Sequence, residues 1–174
     1  MLDLIFSSLY FILPAYVANT CPVLFGLLKM PLGFPISEKL FGSHKTYRGF
    51  YSGYIGALIT LYIQYLLSRS GAVQAYELLN YQEINLFFFA LLFGGGAIGG
   101  DLIKSFFKRR LNIAPGRPFV PFDQLDLVLG ALLFLWPVYV LPAKNIITLL
   151  LLTPLLHLSA NLIAYKLKIK KVWW

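Results

Sequence analysis

Apolar positions in this chain gather into long runs, at about 4–28, 51–67, 86–103, 125–141 and 146–165. Each run is close to the roughly 20 residues that a helix needs to cross the hydrocarbon core of a bilayer. Backbone polar groups in lipid must be satisfied within the segment, so the runs are read as helices. The alternation of a membrane barrel is absent. The pattern predicts an all-α integral membrane protein of five transmembrane helices, forming a single domain over 1–174. The first run lacks a basic stretch ahead of it and outlasts a signal-peptide core. It is expected to remain as a span, bent at Pro14 and again at Pro22.

The segments between the runs are polar and rich in turn formers. The first, about 29–50, reads KMPLGFPISEKLFGSHKTYRGF, and its ISEKLFG stretch suits a short helix on the interface. The second, 68–85, has no distinctive chemistry. A third, about 104–122, carries a turn signal at Pro115-Gly116-Arg117-Pro118. A tight turn at 142–145 is expected between the last two helices.

Composition strengthens the membrane reading. The chain is 59% hydrophobic and 13% charged, too apolar for an ordinary soluble domain of this length. Its net charge of +8 is unevenly placed. Lys29, Lys39, Lys45 and Arg48, then Lys104 to Arg117, then Lys166, Lys168, Lys170 and Lys171 fall on one side of the predicted membrane. Only Arg69 and Lys144 fall on the other. The positive-inside rule makes the basic side cytoplasmic, with the N-terminus outside and the C-terminus inside. The charge is thus a topology signal and a match to anionic headgroups, and implies no nucleic-acid partner. Cys21 is alone, which excludes an intrachain disulfide and a cysteine metal site. His44 and His157 are too few for a histidine zinc site.

Candidate chemistry concentrates in one place. Of seven acidic residues, Asp3, Glu38, Glu77 and Glu83 are scattered. Asp101, Asp123 and Asp126 instead flank a segment carrying Lys104, Lys108, Arg109, Arg110 and Arg117. If the third helix continues past its apolar run, Lys104, Ser105 and Lys108 share a face with Asp101. Asp123 and Asp126, three apart, face one side at the start of the fourth helix. Three carboxylates with a basic surround suit a magnesium ion and a polyphosphate. Simpler roles compete with this. Asp123 and Asp126 also suit the positive end of a helix dipole, and the bases suit membrane anchoring. Asp101 also suits a buried pair with Lys104 or Lys108. The glycines of 94–100 suit close helix packing, and Asn19, Thr20, His157 and Asn161 suit hydrogen bonds between helices. Lys45, Thr46 and Arg48 lie in a loop on the same side as the acidic cluster, placed to clamp a phosphate.

The run SFFKRR followed by PGRPFVPFDQLD resembles the superfamily of cytidylyltransferases that make CDP-activated lipids. Ser105, Lys108-Arg109, and Asp123 with Asp126 carry its signature. NTCPVLFG at 19–26, LFGSHKTYRGFYSG at 40–53 and the PGRPF…FDQLD loop are most similar to its archaeal branch, the CDP-archaeol synthases. The loop lacks the Lys-Asp pair and His-Gly-Gly of bacterial members. The resemblance implies transfer of CMP from CTP to an isoprenoid ether-lipid phosphate, of the unsaturated bis-geranylgeranylglycerol type, with release of pyrophosphate. It implies Asp101, Asp123 and Asp126 as magnesium ligands. Lys104, Lys108, Arg109 and Arg117, with Ser105, are then expected to bind phosphates, and Lys45, Thr46 and Arg48 to close the site. Asn19, Thr20 and His44 are further candidate substrate contacts. No obligate protein partner is implied, and the active site is expected at the cytoplasmic face of the cell membrane. A CDP-alcohol phosphotransferase and a small transporter or scaffold are the alternatives.

Overall fold

A computed structural model describes residues 1–114 and 117–168. The Pro115-Gly116 half of the predicted turn, and Lys170 and Lys171 of the basic tail, lie outside the described residues. All regular elements among the described residues are helical. They are α1 (Leu2–Leu27), α2 (Glu38–Phe41), α3 (Tyr47–Arg69), α4 (Leu86–Arg110), α5 (Phe122–Leu135) and α6 (Ala143–Lys166), with a 3-10 turn at Gln74–Tyr76.

Among the described residues, α1, α3, α4 and α6 are long and apolar enough to cross a membrane. The fifth predicted span, 125–141, is not one helix. α5 has 14 residues and stops at Leu135, a length of about 21 Å at 1.5 Å per residue. Pro137 explains the stop, because its ring has no N–H to donate and clashes with the preceding turn. Residues 136–142 form the connection, so Asn145, expected in a turn, lies inside α6. α4 differs in the opposite sense. It continues two turns beyond its apolar run, so Lys104, Ser105 and Lys108 are helical residues. The short helix expected in ISEKLFG forms as α2, with Ser37 capping it by accepting from the Leu40 amide.

Two kinds of contact hold the helices together. Small residues let backbones touch: a methyl group on Gly100 would run into the Asp126 carbonyl oxygen, and one on Gly130 into the Gly96 carbonyl. At Gly94 the backbone of Gly53 is the neighbour. Hydrogen bonds tie other pairs. Buried Asn145 donates to Ser8 Oγ at 3.0 Å, joining α6 to α1, and Tyr16 meets Thr153 at 2.7 Å between the same helices. Gln64 donates to the Tyr10 carbonyl at 2.6 Å, joining α3 to α1. Close packing and such bonds are what hold helices together where lipid offers no hydrophobic drive. Phe11, Ile12, Leu61, Phe93, Val128 and Leu149 fill the spaces between.

Candidate active site

Three pieces of chain meet at one end of the bundle: the loop before α3, the last turns of α4 and the first turn of α5. Helical spacing puts Asp101, Lys104, Ser105 and Lys108 along one face of α4. α5 presents Asp123 and Asp126 to that face because Gly100 and Gly130 let the two helices approach closely. The loop before α3 delivers Lys45, and Thr46 caps that helix by accepting from the Gly49 amide at 3.1 Å.

Lys104 is the centre of the arrangement. Its ammonium lies 2.6 Å from Asp126 Oδ2, 3.0 Å from Asp101 Oδ1 and 3.4 Å from Asp123 Oδ1. Lys45 pairs with the other oxygen of Asp101. Lys108 reaches both oxygens of Asp123, at 3.1 and 3.2 Å, and donates to the Arg117 carbonyl at 2.5 Å. Asp123 also accepts from the Phe119 amide at 2.6 Å, and Asp126 from the Leu127 amide at 2.8 Å. The side chains are well shielded, from 7% exposure at Asp126 to 26% at Lys45. Three carboxylates and three ammonium groups cancel, which is how charge at this depth is tolerated.

Three cavities abut this cluster. A basic one of about 140 Å³ is lined by Ser43, His44, Lys45, Lys104, Ser105, Lys108 and Arg109. Arg109 Nε is buried beside it with no hydrogen-bond partner among the described residues. A second, of about 200 Å³, has Asn19, His44, Lys45, Thr46 and Asp101 in its wall. A third is an apolar groove of about 420 Å³ between α4 and α5, lined by Ile103, Phe107, Phe122 and Leu129, with Lys104 and Asp126 in its wall. Lys104 therefore belongs to both the basic cavity and the apolar groove.

Most predicted site residues gather here, and some do not. Thr20 is exposed and bonds to the Val17 carbonyl of its own helix. Arg48 donates to the Met30 carbonyl at 3.1 Å and braces the first loop. Arg117 has an exposed side chain and offers the cluster only its carbonyl. His157 and Asn161, which are not site candidates, contact each other along α6 among other interactions. Ser43 is an addition; its place in a donor-rich loop was the available signal. The donor set suits a magnesium ion in chemistry, since carboxylate oxygens are its preferred protein ligands. As the side chains stand, no group of three or more such residues among those described is arranged to hold one metal ion. Lys104 occupies the point where the carboxylates converge.

The family model described as CDP-archaeol synthase (CarS-like) matches residues 1–174. The chain belongs to this family. It is 39% identical to the CDP-archaeol synthase of Pyrococcus furiosus, covering 98% of each chain. It is 41% identical to that of Methanocaldococcus jannaschii, again covering 98% of both. A solved structure of an intramembrane enzyme for archaeal membrane lipid biosynthesis is also similar, with a TM-score of 0.64 and 29% identity. That match covers 88% of this chain and 91% of the other. Neither a phosphotransferase nor a transporter is the family found. Membership agrees with the membrane helices, and the polar site lies at one end of them.

Proposed function

We propose that this protein transfers the CMP unit of CTP to the phosphate of an unsaturated isoprenoid ether lipid, forming CDP-archaeol and pyrophosphate. The observation that carries the reading is the position of Lys104 and its carboxylates between a basic cavity and an apolar groove. A triphosphate suits the first, and an isoprenoid chain suits the second. An oxygen of the lipid phosphate attacks the α-phosphorus of CTP, and the bond to the β-phosphate breaks as pyrophosphate leaves. An ionised phosphate monoester is already nucleophilic, so positioning and charge neutralisation are what the protein must supply. Ser105, Lys108 and Arg109 bind the triphosphate from the basic cavity, and Lys45 closes it. Asn19, His44 and Thr46 border the adjoining cavity and contact the nucleotide there. A magnesium ion, when bound, would be held by Asp101, Asp123 and Asp126 and would neutralise phosphate charge.

The site end of the bundle faces the cytoplasm in this reading, where CTP is found. All basic residues except Arg69 and Lys144 support that orientation. α5 and the apolar segment after it complete a fifth crossing, leaving the N-terminus outside and the C-terminus cytoplasmic. The test is a reconstituted assay with labelled CTP and a panel of lipid phosphates, with and without chelator. A CDP-lipid and pyrophosphate are expected, and chelator should abolish both. No product from any lipid phosphate would overturn the reading.

A further inference from the structure

The formal charges of the acidic cluster and its lysines cancel, and this balance limits what can bind. Asp101 is held by Lys45 and Lys104, Asp123 by Lys104 and Lys108, and Asp126 by Lys104. An ammonium group has three protons to donate. Lys104 faces three different carboxylates within 3.4 Å, so its charge is already matched inside the cluster. The same side chain also lines the basic cavity, beside Ser105, Lys108 and Arg109. Arg109, which also lines that cavity, has a buried Nε with no hydrogen-bond partner among the described residues.

A divalent cation or a triphosphate arriving alone finds its counter-charges already paired. The cation would have to evict a shielded ammonium that then has no counter-charge, and an uncompensated buried charge is strongly unfavourable. A triphosphate would meet lysines already neutralised, with carboxylates close behind them. Arriving together, the two can exchange partners. The carboxylates take the cation, and the ammonium takes phosphate oxygens in the cavity it already borders.

We propose that Lys104 is an exchangeable counter-ion whose transfer from carboxylates to phosphate couples divalent-cation binding to triphosphate binding. This rests on the CTP reading above and adds to it an order of dependence between the two ligands. Lys45 and Lys108 cannot fill this role equally, because each touches one carboxylate and Lys108 is also tied to the Arg117 carbonyl. Coupling of this kind is reciprocal: each ligand raises the affinity of the other by the same factor.

The experiment is a Mn2+ titration of the purified full-length protein, followed by electron paramagnetic resonance, with and without CTP. For the wild type, CTP should tighten Mn2+ binding by roughly tenfold or more. In Lys104→Met, Mn2+ alone should bind more tightly than in the wild type, because the carboxylates have lost their resident cation. The gain from CTP should shrink accordingly. Lys104→Arg keeps the charge and should keep the weak CTP-free affinity; it also carries the test if Lys104→Met does not fold. Unchanged Mn2+ affinity and undiminished coupling in Lys104→Met would overturn the exchange. Wild-type protein that binds no CTP, with or without Mn2+, would overturn the CTP reading itself.

Discussion

Asp123 accepts from Lys108 and from the Phe119 amide that begins the turn into α5, with Lys104 a further charge partner. Asp123→Asn keeps the shape and removes the charge. CDP-lipid formation from labelled CTP should fall by about 100-fold or more, the scale on which preorganised charge contributes to such reactions. Activity near that of the wild type would remove Asp123 from the site. Thr46 has a structural role as well, since its hydroxyl caps α3 next to Lys45, which reaches an acid. Thr46→Ala should lower stability by about 1 kcal/mol in denaturant unfolding. Residue spacing alone made Asp101, Lys104 and Lys108 legible as one helical face. It left Lys45 as one of several loop cations, because its pairing with Asp101 crosses between distant segments. Arg48, three residues further on in the first turn of α3, bonds to the Met30 carbonyl.

Helix α5 depends on glycine for its place. Gly130 sits against the backbone of Gly96 and Gly100, so Gly130→Ala forces α5 away from α4. A destabilisation of about 1–3 kcal/mol is expected from such overpacking. Transferase activity should fall further than stability does, because Asp126 moves with the helix. Equal activity in folded Gly130→Ala protein would show that the crossing does not set the site. The apolar groove between these helices makes a separate prediction. Ile103→Trp should fill part of it and raise KM for the lipid phosphate, while CTP binding measured by calorimetry stays unchanged. Weakened CTP binding instead would mean that the groove does not belong to the lipid. The apolar runs announced both helices but not where the helices end. Hydropathy reports where lipid is tolerated, whereas α4 continues into polar residues and α5 halts before Pro137.

For the whole molecule, the placement of lysine and arginine predicts that Ser43 and Ser70 lie on opposite sides of the membrane. In a Cys21→Ser background, Ser70→Cys should react with an impermeant thiol reagent on intact cells, and Ser43→Cys only after permeabilisation. The reverse pattern would invert the proposed orientation. The sequence by itself determined the membrane-embedded all-helical class, the clustering of acids and bases near the ends of two helices, and the family resemblance. These depend on composition, local spacing and motif, which survive without three-dimensional contacts. Tertiary structure alone decided that the three carboxylates close on Lys104, and that this lysine stands between a basic cavity and an apolar groove. The physical reason is that glycine contacts bring α4 and α5 together and a capped loop adds Lys45. Shielding charge at that crossing requires each acid to find a cation, and which cation it finds depends on distances that no linear spacing contains.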